Sequence, residues 1–118
     1  MMRPKSNPIR SEAYRRAVAA LPCIRCGIHG YSQCAHGPTL GRGIKASDLD
    51  TFPLCCTRSG VVGCHVEYDQ YTLGTHGFSR GLREQWARMF AAQTQRTIYE
   101  AGDWPAKLPI PEFLKEAA

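Results

Sequence analysis

The chain has 118 residues, 15 Lys and Arg against 10 Asp and Glu, a formal net charge of +5 and six cysteines. That length makes one small domain the simplest organisation, in the size range where a metal or disulfides often supplement a modest core. No run approaches the roughly 18 apolar residues of a membrane span, and the opening MMRPKSNPIRSEAYRR is polar and broken by proline, unlike an export signal. The expectation is therefore a cytoplasmic chain, where closely spaced cysteines are more often metal ligands than bridges.

In chain order, residues 1–10 carry Pro4, Pro8 and little apolar content, and predict a mobile basic arm. Ser11 is placed to cap a helix through EAYRRAVAAL that Pro22 stops. Cys23-Ile24-Arg25-Cys26-Gly27 reads as a tight knuckle whose glycine lets the chain turn while both sulfurs aim at one centre. GYSQCAH (30–36) and TFPLC (51–55) are short strands, joined by a loop rich in glycine, GPTLGRGIKASD. CHVEYDQY (64–71) predicts a short helix. Ser79 would cap a longer one through about Ala101, with an apolar stripe of Leu82, Trp86, Met89 or Phe90, and Ile98, ended by Gly102. The tail from 105 to 118 is rich in proline and is expected to wrap the surface before a terminal helical turn.

Charge is uneven along the chain. Residues 1–45 hold eight bases against the single acid Glu12, a net +7, while the remaining 73 residues hold seven against nine, a net −2. Positive potential gathered at one end favours a polyanionic partner, against the plainer alternative of a solubilising tail.

Two cysteine pairs flanking a strand-loop-strand segment are the usual source of a closed tetrahedral zinc site. Cys23 and Cys26 form the first pair. Cys55, ending a strand, and Cys64, opening a helix, are the expected second pair. Cys56 is the weaker candidate, because adjacent side chains of an extended segment point apart. Cys34 reads as a small hydrophobe. Zinc with four thiolates is structural, so chemistry needs an open metal position elsewhere. His65 and Asp69, four apart on one helix face, can bind a divalent ion with positions left for water and a phosphate oxygen. His36, on a strand, is placed to take a proton from the attacking water. His29 and His76 read as ordinary hydrogen-bonded groups.

With CxxC, AHG, SDLDTFPLC, CHVEYD, the GxKxxDL residues Gly43, Lys45, Asp48 and Leu49, and the later QTQRTIYEAGDW, the chain resembles the HNH or ββα-metal nucleases. The likeness spans roughly residues 21–104. It is nearest to the small phage and prophage nucleases of the YbcO type, and looser to phage Ref and NinG proteins. The resemblance implies an α+β fold: a small zinc-stabilised ββα-metal (His-Me finger) core within residues 11–104, with flanking helices. It implies His36 as general base, His65 and Asp69 as ligands of a catalytic Mg²⁺ or Mn²⁺, and Cys23, Cys26, Cys55 and Cys64 as zinc ligands. Asp48 stands near the place of the hairpin asparagine and could orient His36, approach the metal or cap the turn. Ala35 departs from the pattern, since many members have a metal ligand immediately before the general base.

The expected activity is hydrolysis of DNA phosphodiesters, in phage recombination or processing. Arg15, Arg16, Arg42 and Lys45 would hold the backbone without reading bases, and phage or host recombination proteins are conceivable partners. The rival expectation is a zinc-stabilised nucleic-acid-binding or adaptor protein with a decayed nuclease site.

Overall fold

The structure, a computed structural model, describes residues 9–37, 47–70 and 80–116. Helix α1 (Glu12–Ala19) begins where Ser11 Oγ accepts the Tyr14 N–H at 3.1 Å, as expected for an N-cap serine. Strands β1 (Ser32–His36) and β2 (Thr51–Cys55) pair antiparallel, with Cys34 opposite Pro53 and His36 opposite Thr51. A 3-10 turn at Asp48–Asp50 leads into β2. Helices α2 (Cys64–Asp69), α3 (Arg80–Glu100) and α4 (Glu112–Lys115) follow. Among the described residues no helix is long and apolar enough to cross a membrane.

Proline in the middle of β2 is tolerated because of where it falls in the ladder. Cys56 N–H donates to Tyr31 O across the strands, so counting two residues at a time puts the Pro53 position among those whose N–H points away from β1. Its carbonyl also points outward and accepts the Ile24 N–H at 2.9 Å, which hangs the first knuckle on the sheet edge.

All five residues of β2 are buried, since helices cover both faces of the two-stranded sheet. Side-chain alternation sorts the layers. Gln33, Ala35, Phe52 and Leu54 share one face. The buried part of that face packs with Tyr68 of α2 and Ala87, Phe90 and Ala91 of α3. Phe52 is the hub, with ring centroids 5.4 Å from both Tyr68 and Phe90. The opposite face meets α1 and the end of α3 through Tyr14, Val18 and Ile98, with Cys34, Leu49 and Trp104 packed against them.

The α3 stripe differs from expectation. Leu82 and Met89 are exposed, at 38% and 47%, and the inward line runs through Ala87, Phe90, Ala91, Thr94, Gln95 and Ile98. Small residues let the helix approach the sheet. The two polar ones are satisfied locally, Thr94 Oγ1 by Phe90 O at 2.7 Å and Gln95 Nε2 by Leu49 O at 2.6 Å. Gly102, at φ +79°, follows the helix as a left-handed stop. The tail folds back as expected: Trp104 Nε1 donates to Leu108 O, and α4 buries Leu114. The expected Ser79 cap, His76, Arg42 and Lys45 lie outside the described residues.

Two residues of the expected basic arm, 9 and 10, are held against the fold. Asp48 N–H donates to Ile9 O at 2.9 Å and Arg10 Nη1 lies 3.3 Å from Asp48 Oδ1, so residues 9 and 10 are fastened to the entry of β2.

Candidate metal centre

The first knuckle closes through Gly27 N–H to Cys23 O at 2.8 Å and Cys23 N–H to Ile28 O at 2.9 Å. Gly27 supplies the turn at φ +83°. The second is a longer excursion from β2 to α2. Arg58 and Val61 pair around Gly60, Gly63 N–H donates to Thr57 Oγ1 at 2.9 Å, and Cys64 begins the helix. Gly63 has an ordinary extended backbone, φ −72°, and is required for a different reason. A Cβ there would stand against the Cys56 carbonyl carbon, and 2.5 Å from both Cys55 O and Thr57 N.

These two folds bring Cys23, Cys26, Cys55 and Cys64 together, with all four Sγ atoms within 4.8 Å of one another. Cys26 Sγ and Cys55 Sγ are 3.7 Å apart. A tetrahedron with zinc–sulfur bonds of about 2.3 Å has edges of about 3.8 Å, so both the spacing and the donor chemistry fit zinc. Cys56, half-buried, is outside the group, and Cys34 lies on the α1 side with Sγ 3.2 Å from Arg15 O. The second pair is thus Cys55, which ends β2, and Cys64, which opens α2, as the sequence reading has it.

Hydrogen bonds prepare the sulfurs for negative charge. Cys26 N–H approaches Cys23 Sγ at 3.5 Å and Cys64 N–H approaches Cys55 Sγ at 3.3 Å. Burial opposes ionisation of Cys55, but hydrogen bonds from Cys64 N–H, Arg58, Cys64 and Cys26 outweigh it and bring its thiol down to about 6. Burial pushes the Cys64 thiol up to about 12, against the pull of Arg25, with Cys55 and Cys23 adding to the rise. Without a cation the cluster thus favours one thiolate and resists a crowd of them. A dication is what would allow the rest to ionise.

The candidate catalytic residues form two pairs. His65 Nδ1 lies 2.9 Å from Gln33 Oε1, and His65 Nε2 lies 3.6 Å from Asp69 Oδ2. In the tautomer whose Nδ1 donates to Gln33, the Nε2 lone pair faces Asp69, an arrangement open to a cation. Arg83 also attends this pair, with Nη2 3.9 Å from Asp69 Oδ1, Nε donating to Tyr68 O and the guanidinium 4.2 Å over the Tyr68 ring.

His36 belongs to the other pair. Its Nε2 is 3.7 Å from Oδ1 of Asp48, a buried carboxylate that also accepts the Ser11 N–H at 2.8 Å and faces Arg10 at 3.3 Å and Arg15 Nε at 3.2 Å. Of the three roles open to Asp48, its place beside His36 fits orienting that residue, and its contacts to Ser11, Arg10 and Arg15 add a tie between α1 and the hairpin. Arg15 is engaged there, while Arg16 is exposed and paired with Glu12 at 2.8 Å.

Gln33 and His36 are three residues apart on β1, an odd separation that sends their side chains to opposite faces. The His65–Asp69 pair therefore lies on the α2 side and the His36 side chain on the α1 side. Only the main chain of His36 reaches α2, its carbonyl accepting from Tyr68 Oη at 3.3 Å. Ala35, facing α2, is fully buried and offers no ligand atom. Among the described residues, the four cysteines are the grouping of three or more ligand-type side chains close enough to share an ion. Gln33, Arg83, Arg25 and Arg58 were not singled out by sequence; the alternation of β1 could have flagged Gln33, and the knuckle position Arg25.

Comparison with family models, with curated proteins and with solved structures finds no match to this chain.

Proposed function

We propose that the protein is a metal-dependent endonuclease acting on DNA phosphodiesters, of the kind used in processing or recombining phage DNA. The observation that carries this reading is the order strand, strand, helix, with a histidine at the end of β1 and a histidine-carboxylate pair, 3.6 Å apart, on α2. His65 and Asp69 are the residues that would hold a divalent ion. Such an ion, when bound, would supply polarisation of a nonbridging phosphate oxygen and stabilisation of the departing 3′ ester oxygen. His36, its Nε2 3.7 Å from Asp48 Oδ1, takes the proton of the attacking water. Exposed bases such as Arg16, with Arg42 and Lys45, attract the phosphate backbone. The four-cysteine centre supports this unit by joining the end of β2 to the start of α2.

One observation favours a second reading, a zinc-stabilised nucleic-acid-binding module without turnover. The His36 side chain leaves β1 on the face opposite His65 and Asp69, and buried Ala35 supplies no ligand between them. Nicking of supercoiled plasmid by the purified protein across Mg²⁺, Mn²⁺, Ni²⁺ and Zn²⁺, with His65→Ala and His36→Ala as controls, separates the two. Metal-dependent nicking lost in both variants supports the nuclease. Salt-sensitive DNA binding with no nicking under any metal supports the module and sinks the hydrolytic reading.

A further inference from the structure

Each knuckle of the cysteine centre carries an arginine that turns back on the sulfurs. Arg25, between Cys23 and Cys26, reaches across to the other knuckle, where its Nη1 is 3.5 Å from Cys64 Sγ. Its guanidinium also faces Glu67 of α2, at 3.6 Å. Arg58, on the second knuckle, lies 5.0 Å over the Tyr31 ring and donates from Nη1 to Cys56 O at 3.1 Å. The bond to Cys56 O anchors the Arg58 guanidinium on the second knuckle, one residue along the chain from Cys55. The two arginines thus approach the centre from two different loops, Arg25 at the Cys64 sulfur and Arg58 at the main chain beside Cys55.

The charge on the centre gives them a task. Four thiolates around a dication leave a net charge of −2, which a half-buried site near a small core does not carry freely. Guanidinium suits the task, because it is always protonated, is weakly hydrated, and presents several N–H donors in a fixed plane. We propose that Arg25 and Arg58 are the outer-sphere partners of this centre, cancelling its net charge and donating N–H to its sulfurs, and that they set how tightly the ion is held. The inference rests on zinc occupying the four cysteines, and is independent of whether the protein cleaves DNA.

Competition of the zinc-loaded full chain against a chromophoric chelator tests it directly. Arg25→Ala and Arg58→Ala should each weaken zinc retention by about 10- to 100-fold, the range seen when partners of metal ligands are removed. Arg25→Lys and Arg58→Lys keep the charge and should recover most of the loss. Glu67→Gln removes the acid but leaves Arg25 on Cys64, and should stay within about twofold of wild type. In the cobalt(II)-substituted protein, loss of an N–H donor to sulfur should move the thiolate charge-transfer band to longer wavelength in Arg25→Ala, a signature that a merely structural role would not produce. If an alanine variant does not fold, the glutamine variants, which keep the stem and lose the charge, carry the same comparison. Wild-type chelator competition and an unmoved cobalt band in folded, charge-deleted variants overturn the proposal. A wild-type protein that binds no zinc overturns it as well, while leaving the nuclease reading to its own assay.

Discussion

Gly63→Ala is the sharpest single perturbation of the metal centre. The added methyl meets backbone on three sides, the Cys56 carbonyl carbon together with Cys55 O and Thr57 N at 2.5 Å. Ordinary carbon contacts begin near about 3.5 Å, so the loop must move by roughly an ångström, and no side-chain rotation can relieve a clash with main chain. Overpacking of this kind costs about 1–3 kcal/mol. The same shift strains the Gly63 N–H bond to Thr57 Oγ1 and the Cys64 N–H approach to Cys55 Sγ, worth about 1 kcal/mol more. A total of about 2–4 kcal/mol lowers the melting temperature of a domain this size by about 8–16 °C. Thermal unfolding of the zinc-loaded variant by circular dichroism, with zinc stoichiometry by elemental analysis, reads both consequences. Gly60→Ala is the matched control: its backbone is left-handed, φ +78°, but no atom lies within 4 Å of the new Cβ, so only conformational strain of about 1 kcal/mol is expected. A Gly63→Ala protein that melts within about 2 °C of wild type with a full equivalent of zinc would refute the packing argument.

Further predictions follow the same geometry. Cys26→Ser or Cys64→Ser should release zinc and unfold the domain, as should a strong chelator, because metal binding in closed thiolate sites is coupled to folding; a folded, zinc-bound variant in a thermal melt would contradict it. Asp48→Ala leaves two guanidiniums and the Ser11 amide without their acceptor and should cost about 2–3 kcal/mol in urea denaturation, short of the full penalty because Arg10 and Arg15 are half exposed. Phe52→Ala removes the ring shared by Tyr68 and Phe90 and should cost about 3–5 kcal/mol, so its urea midpoint should fall further than that of any exposed-residue variant such as Met89→Ala. DNA affinity should drop steeply between about 50 and 200 mM salt if phosphate contacts dominate; a flat response in a filter-binding titration would point to a protein partner.

Local chemistry made much of this architecture legible. Ser11 announced α1, the places of Cys55 at a strand end and Cys64 at a helix start marked the second sulfur pair, and TFPLC read as a strand despite its proline. What escaped were features set by layers meeting. The inward side of α3 is marked by alanines, Thr94 and Gln95, because the helix must lie close to a covered sheet, and a search for large apolar residues finds Leu82 and Met89 instead. Asp48 reads from sequence as a partner for His36, a metal ligand or a turn cap; its place beside His36 fits the first, while its other contacts are set by the fold. Those other neighbours, Arg10, Arg15 and the Ser11 amide, come from about 37 residues away and cannot be inferred from spacing. The requirement at Gly63 is invisible in sequence for the same reason, as it comes from main chain folded back on it.

The order in which the sulfurs are synthesised carries a consequence for biogenesis. Cys23 and Cys26 emerge from the ribosome forty-one and thirty-eight residues before Cys64, an interval of about 2–8 s at usual elongation rates of ~5–20 residues/s. During that time a captured ion has at most a partial set of donors, and both strands must already be present before the last one arrives. Zinc held by these four cysteines would thus be a late latch on a nearly finished hairpin, and scarcity of the ion would strand nascent chains after the sheet has paired but before its two ends are fastened.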